Sequence, residues 1–443
     1  MHITILTAGS RGDVQPYLAL ATGLKTAGFQ VRLAANSNFT AFAEAYGLEF
    51  SPIEVDSFAF VQRRETQDWL NSRSLLQLFF NTMKMVDQTQ DQILKDAWQA
   101  CQGTEAIIYH SFTLPTAYLM GQQLNVPCIP ASLYPLPTRA HPCLPLNMRV
   151  NLGGTFNLLS HKVLEQLNWL ANRSTAKVFW SKGKGRIPLT DPYQQKRQEK
   201  RLILCGYSKI LVPLPPDLPD YARVAGYWLL DTPPDWQPPE DVVNFLEAGP
   251  PPVFIGFASM GDPMRAKETT QLVIEALDIV GQRGILVSGW SGLGSDFPLP
   301  DTVCVVESIP YAWLMSRVRV VVHHAGAGST GYGLSSGVPN VVIPHFSDNH
   351  FWSQRVWALG VSPKPIPRRQ LTAEKLALAL KEALENKTMN EMAAKIGRKI
   401  KAENGIQQTV AEIEKFLEIK AKTLRENQPR INTNLHELQS KNL

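Results

Sequence analysis

A chain of 443 residues, 44% hydrophobic and 19% charged, carries enough apolar material for two or three cores, which excludes both a staple-dependent miniprotein and a mainly disordered chain. Its 44 basic and 39 acidic side chains leave a net charge of +5, far short of the excess needed to neutralise a run of phosphates, and this argues against nucleic acid as a partner. The five cysteines, Cys101, Cys128, Cys143, Cys205 and Cys304, are odd in number and show no CxxC or Cys/His spacing; neither a disulfide framework nor a zinc site is indicated, and a reducing cytoplasm fits.

The opening MHITILTAGSRGD lacks the basic and apolar regions of a signal peptide, and its β-branched alternation predicts a first strand. A glycine-bearing loop, GSRGDVQP from Gly9 to Pro16, follows it and leads into a helix-compatible stretch. The second strand, VRLA, is followed by Asn36, where a dinucleotide-binding fold would place an acidic residue, so NAD binding is disfavoured. Helical spacing links Leu76, Phe79, Phe80, Met83 and Val86, and again Phe156, Leu159, Val163, Leu167 and Leu170. Each stripe reads as core packing or as part of an apolar ligand pocket.

Between and after these stripes, β-rich runs at IIYH after Ala106, VPCIP from Val126 and ILV from Ile210 predict further strands of a parallel sheet. Aromatic and basic residues alternate from Trp169 to Arg201, including Trp180, Lys182 and Lys184, which suits either a membrane interface or a solvated face. Prolines cluster from Pro213 to Pro252 and mark a domain boundary. Strands then resume at VFIGF, ILVSG, VCVVE, VRVVVHH and NVVIP, predicting a second doubly wound α/β domain. The expected division is 1–225, 226–420 and a polar tail at 421–443, after a last helix near Gln407 to Lys420. No run approaches the roughly 18 apolar residues of a membrane span, so the chain is expected to be soluble or to lie on a membrane.

The second glycine-rich turn, HHAGAGSTGYGLSSGVP from His323 to Pro339, follows an apolar strand and opens a helix-compatible segment. Amides and hydroxyls at Gly326, Gly328, Ser329 and Thr330, with His324 beside them, would suit a diphosphate at a helix N-terminus, in preference to the alternative of a turn that serves close packing alone. His110 and His141 are lone histidines in apolar or proline-rich surroundings.

These two turns, with PPVFIGFASMGDP, GQRGILVSGW, IPYAWL and IPHFSDNHFW, resemble the UDP-glucose:sterol glucosyltransferase group of the GT-B glycosyltransferases. The family patterns are HHGGAGTT, GVP, FGDQ and FW in the C-terminal box, GFGSM, and VPHDWL. The likeness runs from residue 1 to about residue 418 and is weakest between residues 55 and 200. It implies two facing Rossmann-like domains with an interdomain cleft, the acceptor mainly on the first and a UDP-sugar on the second.

By this resemblance Asp13 is the catalytic base of an inverting transfer, and His324 stabilises the departing UDP. Ser10, Ser259, His324, Gly326, Gly328, Ser329 and Thr330 hold the UDP diphosphate, and Arg11 and Gly12 also bind the donor. Ile309 and Trp313 lie by the uracil, and Asp348 and Asn349 bind the sugar. Asn349 stands where the family has Gln, which opens the sugar's identity, and Tyr332 stands where plant relatives bind ribose through Glu. Phe79, Met83, His110, Tyr134, His141 and Phe156 are the candidate acceptor contacts. Asp13 also suits helix capping, which is compatible with catalysis. The chain has no DxD motif, and neither a metal nor a cofactor is expected. A monomer acting on a UDP-sugar and a lipophilic alcohol, peripheral on a membrane, completes the expectation; a UDP-sugar epimerase or a non-catalytic UDP-sugar or lipid-binding protein are the alternatives.

Overall fold

In the computed structural model, which describes residues 1–56, 59, 89–143, 152–182, 191–258, 263–345 and 348–426, the β-rich runs pair into two parallel sheets. The first contains β1 (His2–Leu6), β2 (Gln30–Asn36), β3 (Glu49–Ile53), β4 (Ala106–His110), β5 (Cys128–Ser132), β6 (Ile203–Cys205) and β7 (Ala222–Val224), in the order β3-β2-β1-β4-β5-β6-β7. The second contains β8 (Val253–Gly256), β9 (Gly284–Val287), β10 (Val303–Val306), β11 (Val320–His323) and β12 (Asn340–Val342), in the order β10-β9-β8-β11-β12. Every neighbouring pair is parallel; Ile5, for example, lies opposite Leu33 on one side and Ile108 on the other.

Parallel sheets are covered on both faces, which is why Ile3, Ile5, Val320, Val321 and Val322 are all fully buried and why the strands read as continuous apolar runs. Strand order reverses at β1 in the first sheet and at β8 in the second. Loops at the carboxyl ends of strands beside such a reversal form the crevice where ligands bind in open α/β sheets. Here they are the loop after β1, which carries Gly9 to Asp13, and the loops after β8 and β11.

Two sequence expectations change. The run ILV at Ile210 is a turn, and the strand that pairs with β5 is Ile203–Cys205 instead. The stripe from Phe156 to Leu170 does lie on a helix, Gly154–Lys182, but faces outward: Leu159, Val163 and Leu170 are 55%, 45% and 54% exposed. The opposite, polar face is turned inward because it is hydrogen-bonded there. Asn157 Nδ2 donates to the Arg139 carbonyl at 2.8 Å, His161 Nε2 lies 3.1 Å from the His141 carbonyl, and Asn168 Nδ2 donates to Tyr193 Oη at 2.6 Å. The stripe from Leu76 to Val86, with Phe79 and Met83, lies outside the described residues.

The last helix, Gly405–Glu426, returns to the first sheet, where Val410, Ile413 and Leu417 join the core of Ile3, Leu18 and Trp228. Trp228 Nε1 donates to Thr409 Oγ1 at 2.8 Å. The chain therefore crosses between the domains twice, and the crossings touch: a Cβ on Gly405 would lie 2.4 Å from the Tyr227 carbonyl oxygen.

Candidate active site in the interdomain cleft

The helix α1 (Arg11–Thr26) begins at Ser10, and its first turn is built around one carboxylate. Asp13 Oδ2 accepts from the Ser10 amide at 2.9 Å and from Ser10 Oγ at 3.0 Å, the capping geometry that a helix N-terminus favours for a negative side chain. Gly9 makes room for this fold-back: its φ is +134°, and a Cβ there would sit 2.5 Å from Asp13 Oδ2. The loop is fastened from outside as well. Asn36 Oδ1 accepts from the Gly9 amide at 2.8 Å, and Thr7 Oγ1 donates to the Asp13 carbonyl at 2.7 Å. Asn36 was legible from the sequence as a missing acid; what it does is hold this loop. Burial pushes the Asp13 pKa up, against the lowering effect of the two Ser10 hydrogen bonds, so the carboxylate is a stronger base than a solvated one.

Facing it, the helix Ala327–Ser336 begins at Gly326 and leaves its first-turn amides at the cleft. His323 shapes the turn that precedes it: its Nδ1 accepts from the Ala325 amide at 3.1 Å, and its Nε2 donates to Asn340 Oδ1 at 3.0 Å. His324 differs. It is 5% exposed, and its Nδ1 is buried with no hydrogen-bond partner, as is Thr330 Oγ1 in the first turn of the helix that follows. Leaving a buried polar atom unpaired costs about 1–3 kcal/mol, a cost that a bound anion or hydroxyl would remove. Burial, with His345 and His323 nearby, holds the His324 pKa well below its usual value, so this imidazole is neutral. Ala325 and Ala258 both have left-handed backbones, φ +61° and +49°, at the two places where the family patterns carry glycine.

Between the two turns lies an open pocket lined from one side by Arg11, Gly12, Gln15, Pro16 and Leu133 and from the other by Ala258, Tyr311, Gly328, Ser329 and Tyr332. Asp348, at the start of the helix Asn349–Ala358, accepts from Trp352 Nε1 at 2.8 Å. Burial and the negative charge of Asp13 raise its pKa to about 7 despite that hydrogen bond. Burial raises the pKa of Tyr134, and the negative charges of Asp13 and Asp348 raise it further.

Other expected contacts sit differently. Ile309 is buried in the core, and the Trp313 ring packs between Trp236 and the Arg317 guanidinium, leaving Tyr311 to line the pocket. His110 is fully buried edge-on to Tyr17, beneath the cleft, where burial lowers its pKa to about 3. His141 packs against Phe351 of the second domain, ring centroids 5.0 Å apart, and Phe156 is half-buried on its helix. Asn349 is buried at the first position of its helix. Ser259 lies outside the described residues. Gln15, Tyr311 and the apolar wall of Pro16, Leu133, Trp228 and Leu229 were not singled out from the sequence, because ordinary helix, turn and linker positions carry no pattern that marks them.

Residues 3–135 match the glycosyltransferase family 28 N-terminal domain, and residues 292–418 match the erythromycin biosynthesis protein CIII-like C-terminal domain. The chain belongs to the GT-B glycosyltransferases. Within them it is 32% identical over 438 residues to a sterol 3-beta-glucosyltransferase of Aspergillus terreus, covering 96% of this chain and 30% of that protein. A second sterol 3-beta-glucosyltransferase, from Glomerella lagenarium, is 31% identical, covering 93% of this chain and 28% of that protein. The chain thus spans under a third of the length of these relatives. Among solved structures, the kitacinnamycin glycosyltransferase superposes with a TM-score of 0.68 at 20% identity, covering 94% of this chain and 99% of that one. The Streptomyces sp. SF2575 glycosyltransferase SsfS6, complexed with thymidine diphosphate, superposes with a TM-score of 0.60 at 18% identity, covering 94% of this chain and 99% of that one. In GT-B terms, the loop after β1 and the turn after β11 are the two faces of the cleft.

Proposed function

We propose that this GT-B chain transfers a hexose, glucose in the first instance, from a UDP-sugar to the hydroxyl of a sterol-like or other lipophilic alcohol, inverting the anomeric centre. The observation that carries this reading is the Asp13 carboxylate, fixed at a helix N-terminus, facing a second helix N-terminus with the unpartnered His324 beside it. Asp13 takes the acceptor's hydroxyl proton as the oxygen attacks the anomeric carbon. The bond from that carbon to the β-phosphate oxygen breaks in the same displacement, and its electron pair leaves with UDP. Amides of the Gly328 and Ser329 turn and the His324 imidazole stabilise the departing diphosphate, a role that makes a metal unnecessary. Asp348, as a carboxylate, can accept two sugar hydroxyls. Asn349, shorter than the family's Gln, is the position at which the choice between glucose and another hexose is made.

The exposed face of Leu159, Val163 and Leu170 supports peripheral contact with a membrane from which a lipophilic acceptor is drawn. The basic and aromatic segment contributes less than its composition suggests, since Trp169 packs against the first domain's core and Arg197 pairs with Glu165. Liposome co-sedimentation tests this: Leu159, Val163 and Leu170 changed together to Ser should release the protein from vesicles, and equal binding removes this face from the reading. The reaction itself is tested by incubating UDP-sugars with a panel of lipid alcohols and identifying products by mass spectrometry. A glycosylated alcohol and free UDP establish transfer; epimerised donor, or binding without turnover, refutes it.

A further inference from the structure

Two side chains one turn apart on α1 reach across the cleft. Arg11 Nη1 donates to Ser308 Oγ at 2.9 Å, and Gln15 Nε2 donates to Tyr332 Oη at 2.7 Å. They also bind each other, Arg11 Nε donating to Gln15 Oε1 at 2.9 Å, which fixes the orientation of the Gln15 amide because Arg has no acceptor to offer. The far end is equally constrained. Tyr332 Oη accepts from the Leu230 amide at 2.8 Å and donates to the Leu230 carbonyl at 3.0 Å. With the bond from Gln15, all three hydrogen-bonding positions of that hydroxyl are used, and none remains for a ribose hydroxyl.

Asp13 lies on α1 between Arg11 and Gln15, and Tyr332 lies on the helix Ala327–Ser336, whose N-terminus faces the donor side of the cleft. The Gln15 to Tyr332 bond therefore joins the turn that carries the base to the helix that holds the leaving group. We propose that Gln15 is a positioning residue: by holding Tyr332 it sets the distance between Asp13 and the reacting carbon and closes the cleft against water. This rests on the transfer reading above. A displacement of about 1 Å at the reacting atoms can cost on the order of 100-fold in rate, so one interdomain hydrogen bond has leverage beyond its share of stability.

Gln15→Leu leaves both Tyr332 bonds to Leu230 in place and is the first variant to make. Its transfer kcat should fall about tenfold or more, its UDP affinity should stay within about twofold, and a larger share of UDP-sugar should be lost to water. Tyr332→Phe should act in the same direction, and the double variant should be no slower than Tyr332→Phe alone, since losing the Tyr332 hydroxyl already removes the Gln15 bond along with both bonds to Leu230. With UDP bound, Gln15→Leu should show a larger radius of gyration by small-angle scattering than wild type. A normal kcat and hydrolysis share, with only the melting temperature lowered, overturns the proposal, as does a UDP-bound radius equal to wild type. If Asp13→Asn keeps full transfer activity, the base assignment has failed, and the scattering comparison still reads the Gln15 bond independently.

Discussion

The turn from Gly9 to Asp13 is complete in itself, with both the carboxylate and the loop amides hydrogen-bonded within the first domain, whereas the turn from His323 to Thr330 leaves two buried polar atoms without partners. One side of the cleft is preorganised; the other is stabilised when something binds. That division suits a reaction in which the proton acceptor must be in place beforehand while the donor brings its own charge. It also shows which half of the site a stability measurement can see.

The sharpest way to break the comparison is Asp13→Asn. The amide keeps the shape but loses the base, and turnover should fall by about 100-fold or more while UDP affinity stays within about twofold; kinetics and calorimetry on one preparation check both. His324→Ala probes the unfinished side. UDP affinity should weaken by about tenfold, the usual scale for one hydrogen bond to a charged group, with no fall in the melting temperature of the unliganded protein. Unaltered affinity would remove His324 from the diphosphate site.

Asp348 connects the two sides through its pKa of about 7. As pH rises through that value the carboxylate forms, sugar hydroxyls gain an acceptor, and the donor KM should fall several-fold. The bound proton favours the folded chain below the ordinary value of 3.8, and that contribution is lost as pH rises through about 7. Asp13→Asn removes a like charge, so the step in KM should move to lower pH; Asp348→Asn should abolish it. The smallest effect sharpens the account of the donor turn: Ala325→Gly relieves a left-handed alanine and should stabilise the chain by about 1 kcal/mol, read as a higher melting temperature.

Much of this was legible in the sequence because parallel strands are buried on both faces and announce themselves as apolar runs; β1, β4, β8, β11 and β12 lie where those runs do. Ile210 to Val212 misled because a short apolar run beside Pro213 is as compatible with a buried turn as with a strand, and the true partner of β5 is three residues long. The stripe on Gly154–Lys182 misled for a different reason. Periodicity identifies an apolar face but not the direction it points, and here hydrogen bonds from Asn157 and Asn168 decide the direction. The glycine turns were readable as anion sites. The bond between Gln15 and Tyr332 was not, since it joins residues 317 positions apart through side chains that leave no period in the sequence.

The two crossings between the domains have a mechanical consequence. Gly226, with φ +113°, and Gly405 lie backbone against backbone, so the chain passes between the halves through a single point rather than at two separated ones. A core of Tyr207, Leu211, Val212 and Tyr227 with Leu334, Val342 and Trp352 surrounds that point. A rotation about the Gly226 and Gly405 contact would move the rim, where Phe39 stacks on Trp290, further than it moves Tyr227. A chimera that exchanges the donor half by cutting near residue 225 alone would carry a foreign last helix into the first domain's core; exchange requires a second cut before Gly405, so that this helix stays with the sheet it packs on.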